Sequence, residues 1–258
     1  MFSPEIFTSV INSYLPEPQA SLLNGIIFGV NLKTTKSFYE QLKVVGLLHL
    51  VVLSGTNITL LAAMVTKSTE RFGKLMSIVI TVLMIIIFIV FVGPKAPVVR
   101  AGFMGILTLV AILYGRKNFV YYSLFLSLVF IALFWPEWLT SLSLQLSYGA
   151  TIGIVLFAPK KKMNYLWNQF LISIAAQVFT IPLIFIKLKQ ISLISPFANI
   201  LVAWLISPLM IFGFLTAGLG KINYWLGLIP SYICYGLLTY MVKVIDVLSK
   251  IPFGYFKF

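Results

Sequence analysis

From Val44 onward, apolar runs of about 18 residues or more recur, each long enough to cross a bilayer as a helix. Short polar breaks divide the runs into segments at roughly 44–66, 75–92, 97–115, 118–134, 137–158, 165–186, 191–219 and 223–248. The seventh is longer than one crossing needs and holds Pro196 and Pro208. A kinked helix, a broken helix or two short segments are all expected from that pattern. The pattern predicts an all-α, polytopic transmembrane helical bundle with about seven to nine spans.

Ahead of the first span the pattern is shorter. Ser3, Pro4 and Glu5 read as an N-cap, a first-turn proline and an acid suited to a helix start. Ile6, Phe7, Val10, Ile11 and Tyr14 then fall on one face, which predicts an amphipathic helix lying in the membrane surface. Pro16 and Pro18 end it. ASLLNGIIFG forms a second helix, too short to span and therefore interfacial or re-entrant, with Gly25 and Gly29 one turn apart. Ser37 and Glu40 fit a capping box whose helix continues into the first span. The expected organisation is interfacial amphipathic helices over 1–43, a transmembrane domain over 44–250 and a tail over 251–258.

Composition agrees. Of 258 residues, 60% are hydrophobic and only 10% charged, against roughly 25% charged in soluble domains. Mean hydropathy is +1.03. The opening MFSPEIFTSV lacks the basic start and apolar core of a cleavable signal peptide, so insertion is expected to rely on the spans. The net charge of +13 suits nucleic acid, but cytoplasmic loops collect Lys and Arg whatever the substrate. Lys67, Arg71 and Lys74, then Arg116 and Lys117, then Lys160, Lys161 and Lys162 occupy alternate loops. That places those loops in the cytoplasm and Met1 outside, although Lys187, Lys189 and the basic C-terminal end oppose the rule.

Polar residues inside the spans are functional candidates because lipid offers them no partner. HLVVLSGTN, His49 to Asn57, carries the only histidine and a run of four small or polar residues. On a helix, Asn57 lies about 80° and Ser54 about 140° from His49, one broad side. Ser141, Gln145 and Tyr148 line one face of a later span; Ser173, Gln177 and Thr180, and Ser195 with Asn199, do the same in two more. Such stripes serve either as interhelical glue or as the lining of a shared polar cavity. Apart from Glu137 at the edge of one segment, no Asp or Glu occurs within the spans before Asp246, which disfavours a cation path. Arg100 adds positive charge unless it snorkels to the interface. A neutral-to-positive cavity suits an anion.

Enzyme chemistry is not expected. About 140° on one helix sets Ser54 and His49 too far round from each other to form a hydrogen-bonded pair, and no second histidine can act as base. No phosphate-binding GxxxxGK[ST] loop occurs, and no carboxylate cluster is placed to hold nuclease metals. One Cys and one His exclude a zinc site, and Cys234 has no disulfide partner. No metal or cofactor is expected.

His49-Leu-Val-Val-Leu-Ser54-Gly55-Thr-Asn57 resembles the H-L-x-x-x-S-G-x-H stretch of the ComEC competence family, bacterial membrane channels that take in single-stranded DNA. The resemblance continues in order through Leu15-Pro-Glu-Pro, Gly29, Pro97-Val-Val-Arg100, Gly115-Arg116, Trp135-Pro136 and Gln145-Leu146-Ser147-Tyr148. It ends with Gln177-Val-Phe-Thr-Ile-Pro182 and Ser195-Pro196-Phe-Ala-Asn199, and covers about Leu15 to Lys250. It implies an inner-membrane channel core for natural transformation, with His49, Ser54, Gly55, Asn57, Arg100, Gln145, Ser147, Gln177 and Asn199 along the path. Single-stranded DNA, the lipid bilayer, a separate DNA receptor, a nuclease and a cytoplasmic ATP-driven motor are the implied partners, and a homo-oligomer is compatible with it.

The sequence departs from the family in three ways. The second histidine is Asn57 here. The OB-like and the metallo-β-lactamase-like domains of longer members have no counterpart in these residues, so the chain resembles the membrane core alone: a divergent or shortened member, or one part of a split system. The competing expectations are a transporter of a small anionic or lipid-like molecule on the same fold, and a non-transporting membrane scaffold.

Overall fold

The computed structural model describes residues 4–48, 55–116, 119–159, 164–251 and 255–257. These residues form eleven α-helices, two short 3₁₀ turns and one small β-ribbon. In chain order the helices are α1 (Glu5–Tyr14), α2 (Gln19–Phe28), α3 (Lys36–Val45), α4 (Gly55–Thr69), α5 (Lys74–Val92) and α6 (Ala96–Leu113). Then follow α7 (Val120–Phe134), α8 (Leu142–Phe157), α9 (Tyr165–Leu188), α10 (Ser195–Ile222) and α11 (Tyr224–Ser249).

Five of them are long and apolar enough to cross a membrane: α5, α6, most of α9, α10 and α11. Their outer faces are apolar. On α5 Ser77, Ile78, Thr81, Ile85 and Phe88 point inward, while Leu83, Ile87 and Val90 are exposed. Apolar side chains spread over an outer surface in this way need lipid around them. The segments expected at 118–134 and 137–158 are shorter than predicted. α7 has 15 residues and α8 has 16, or about 22–24 Å at 1.5 Å per residue. Pro136–Thr140 between them is 3₁₀ rather than α.

Three further expectations change. The N-cap of α3 is Thr35, whose hydroxyl accepts from the Phe38 N–H, not Ser37. That helix does not run into the first span but stops at Val45, where Gly46 takes a left-handed conformation at φ 75°. Gly46 also sits against Ser195, whose Cβ lies 2.8 Å from where a Gly46 Cβ would be. The third change is that the segment with two prolines is one continuous helix of 28 residues. Pro196 falls in its first turn, where the missing N–H costs nothing, and Pro208, itself half-buried, is flanked by buried Leu205, Ile206, Leu209 and Met210.

α1 begins at Glu5 after Pro4, while Ser3 lies outside the described residues. It packs across α10 and α2; the Tyr14 hydroxyl donates to the Tyr224 carbonyl at 2.8 Å. α2 is buried over all ten residues, between α1, α10 and α11. Gly213 of α10 makes room for its Leu23 and Ile27. A short, wholly buried helix is what a re-entrant element requires, since its backbone is satisfied within itself and by its neighbours. At one end of the bundle β1 (Gln190–Ser192) pairs antiparallel with β2 (Tyr255–Lys257). There the Ser192 hydroxyl also donates to the Val44 carbonyl at 2.7 Å.

α8 and α9 meet along Gly149 and Gly153, one turn apart. A Cβ on Gly153 would run into the Ala175 carbonyl, so the two backbones touch as small-residue membrane interfaces do. Gly153→Ala should therefore lower the thermal unfolding midpoint in detergent. Gly236→Ala, where a Cβ meets nothing within 4 Å, should leave the midpoint unchanged or raise it. Equal midpoints for both variants would contradict this packing.

Candidate functional site

The interior of the bundle contains the end of α2, with the first described turn of α4 beside it. α2 stops at Gly29, which takes φ 62°, and its last carbonyls need partners. The Gly29 N–H closes the turn onto the Gly25 carbonyl at 2.9 Å. The Asn57 amide donates to the Ile26 carbonyl at 2.7 Å. Lys95 Nζ donates to the Gly29 carbonyl at 2.6 Å, a cation at the negative pole of a helix. Asn57 is 1% exposed, so it stitches the start of α4 onto the end of α2.

α4 is described from Gly55 onward, and Gly55 packs beside Arg100 on α6. A Cβ on Gly55 would meet the Ala101 Cβ at 3.0 Å and Arg100 Nη2 at 3.5 Å. Glycine here permits that close approach. Arg100, in the second turn of α6, is 7% exposed and does not snorkel. Its Nη1 donates to Thr151 Oγ1 at 3.1 Å and approaches Met104 Sδ at 3.5 Å. Its guanidinium carbon stands 5.3 Å from the Tyr148 ring centre. The Tyr148 hydroxyl is tied to Ser127 at 2.8 Å, and Thr151 donates to the Ser147 carbonyl at 2.9 Å.

What Arg100 lacks is more informative. Its Nε has no partner, and among the described residues no carboxylate pairs with it. A cation costs about 2.5–3.5 kcal/mol at the centre of a membrane helix on insertion scales, an upper bound for Arg100 in the second turn of α6, and a desolvated aromatic face returns about 2 kcal/mol. The protein therefore holds a guanidinium that its own groups satisfy only in part.

The other expected path residues lie apart from this junction. Gln145 donates to the Leu139 carbonyl at 3.1 Å, at the 3₁₀ turn. Gln177 donates to Ser195 at 3.3 Å and Asn199 to Ser173 at 2.9 Å, so α9 and α10 are zipped in antiparallel register. Each such bond contributes about 0.6 kcal/mol in membrane bundles, and glue describes this pair of stripes. The structure thus gathers Gly55, Asn57 and Arg100, links Ser147 through Thr151, and keeps Gln145, Gln177 and Asn199 elsewhere. His49 and Ser54 lie outside the described residues.

Sequence reasoning missed Thr151 and Lys95. Thr151 stands one turn after Ser147 and extends the α8 stripe, a signal the pattern did contain. Lys95 reads as a loop charge, and nothing local reveals that it reaches Gly29, 66 residues earlier. Among the described residues no group of three or more His, Cys, Asp or Glu could hold a metal.

A helix end inside the bundle capped by Lys95, with a buried Arg100 beside it on α6, defines a polar junction within a membrane-helical core. The comparisons give that class a family. A sequence model of the Competence protein family matches residues 26–258, and the chain belongs to that family. It is similar to ComE operon protein 3 of Bacillus subtilis (strain 168), with 23% identity over 238 residues and 87% of this chain. The chain spans 31% of the length of that relative. No solved structure matches it. Membership gives the chain a competence-related role in a membrane-associated family.

Proposed function

We propose that this chain is the multi-pass inner-membrane core through which single-stranded DNA enters the cell during natural transformation. The observation that carries the reading is Arg100: a buried guanidinium with no carboxylate partner among the described residues, packed beside Gly55 inside a Competence-family bundle. A conducted polyanion needs positive, carboxylate-free surroundings. The chain acts by conducting and not by catalysis. DNA capture, removal of one strand and ATP-driven pulling fall to a separate receptor, nuclease and cytoplasmic motor.

Deleting the gene should abolish uptake of labelled DNA and leave growth intact, with recovery on re-expression. Undiminished uptake in the deletion strain would rule the reading out. The topology has its own test. A cysteine introduced at Lys161, which lies outside the described residues, should resist impermeant thiol reagents in intact cells. Native Cys234 is fully buried and adds little background. Ready labelling from outside would invert the assigned orientation.

A further inference from the structure

We propose that the end of the bundle where α3 meets the β-ribbon is the surface that receives single-stranded DNA before it enters the core. This rests on the DNA-conducting reading and the orientation assigned with it, and it names the face that meets the strand handed on by a separate receptor. α9 carries the chain away from the Lys160–Lys162 loop, α10 brings it back as one continuous helix, and α11 returns it. Lys187 and Lys189 at the end of α9 and Lys250 after α11 therefore share one end. The antiparallel pairing of Gln190 with Lys257 ties the two segments together there. α3 joins them: Gln41 donates to Asp246 at 3.1 Å, and Ser192 donates to the Val44 carbonyl at 2.7 Å. These contacts gather lysines from three distant parts of the chain.

Membrane insertion does not explain this charge. Cytoplasmic loops accumulate Lys and Arg, but this end lies opposite Lys74, Arg116 and Lys160. A cation in the last turn of α9 complements the negative pole of that helix, which accounts for Lys187 alone. Lys36, Lys187 and Lys189 are exposed, and among the described residues no carboxylate pairs with any of them. The carboxylates nearby are engaged, Glu40 with Lys43 at 4.0 Å and Asp246 with Lys250 at 2.7 Å. On α3, Lys36, Tyr39, Glu40 and Lys43 fall within one arc of about 100°, opposite buried Phe38, Leu42 and Val45. Tyr39 is 43% exposed in that arc. Open cations beside an exposed aromatic ring suit a single strand, whose phosphates the lysines neutralise and whose unpaired bases stack on the ring. Anionic lipid headgroups compete for the same lysines and are an outcome of the test.

The test uses the full chain in a phosphate-free maltoside detergent, with a fluorescent oligothymidylate and dioctanoyl phosphatidylglycerol as probes. The main variant is Lys36→Gln/Lys187→Gln/Lys189→Gln, which leaves both ion pairs intact. It should bind oligothymidylate about tenfold more weakly, and the slope of log affinity against log salt should fall by about 0.7 for each lysine in contact. Tyr39→Ala should weaken binding about fivefold or more, as loss of one stacked base implies, with the salt slope unchanged. Lys36→Arg/Lys187→Arg/Lys189→Arg keeps the charges and should keep affinity and slope, which separates a lost contact from misfolding. Lys67→Gln/Lys74→Gln removes two exposed lysines from the opposite end and should bind as wild type. Affinity and slope unchanged in the glutamine triple variant, or lowered equally by Lys67→Gln/Lys74→Gln, would overturn the surface. So would loss of phosphatidylglycerol binding in the triple variant with oligothymidylate binding intact, which would make this end a lipid contact. DNA uptake that is lost on gene deletion yet normal in the triple variant would also overturn it, while leaving the conducting reading standing.

Discussion

Arg100→Leu is expected to abolish DNA uptake while leaving the protein at least as stable as wild type. The two effects run in opposite directions because they arise from different terms. Leucine removes the cost of a buried guanidinium, at most about 2.5–3.5 kcal/mol on insertion scales, and loses the Thr151 hydrogen bond, the weak Met104 contact and the Tyr148 face. Replacing a buried charge by an apolar side chain is often neutral or stabilising. Thr151 keeps its own bond to the Ser147 carbonyl, so no buried hydroxyl is orphaned. The thermal midpoint in detergent should stay level or rise. Uptake per inserted molecule should drop at least about a hundredfold, as when a buried charge–phosphate contact worth about 3 kcal/mol is lost. A variant that loses stability and uptake in proportion would make Arg100 a structural residue.

Asn57→Leu should behave in the opposite way. Its amide is buried and holds the Ile26 carbonyl at 2.7 Å. Without it a helix-end carbonyl is left unpaired, at about 1–3 kcal/mol. α2 and α4 should loosen, so the unfolding midpoint falls and transport falls with the amount of folded protein. Asn57→His, which restores the residue of the resembling family stretch, keeps an N–H donor and should retain most of the midpoint. If Asn57→His is as destabilised as Asn57→Leu, the hydrogen bond is not what the position supplies.

Arg100 and Asn57 were legible as candidates because each is polar inside an apolar run, where lipid forbids an idle polar group. Their partners were not. Arg100 meets Thr151 across 51 residues and Asn57 meets Ile26 across 31, and helical periodicity carries no information at that range. The apolar helices α5, α6, α9, α10 and α11 were visible in hydropathy alone. The end of α3 was not. Val44-Val45-Gly46-Leu47-Leu48 reads as one unbroken run, and the left-handed turn at Gly46 becomes evident only where Ser195 leaves no room for a Cβ. The polar stripes of α8, α9 and α10 were correctly seen as stripes, but their direction depends on how the helices are rotated in the bundle. Two of them turn toward each other through Ser173, Asn199, Gln177 and Ser195, and Tyr148 of the third turns toward Arg100.

Single-stranded DNA conducted by this chain is expected to pass Arg100, beside the inner end of α2. Met104 lies beside it, its sulfur 3.5 Å from Arg100 Nη1. The most direct measurement places a diazirine side chain at position 104 and irradiates competent cells in which labelled DNA has been stalled during entry. The expected result is an adduct between this chain and single-stranded DNA that disappears in the Arg100→Leu background, with no DNA adduct from a diazirine at exposed Val90. Lipid adducts alone at position 104, while DNA still enters the cell, would contradict it.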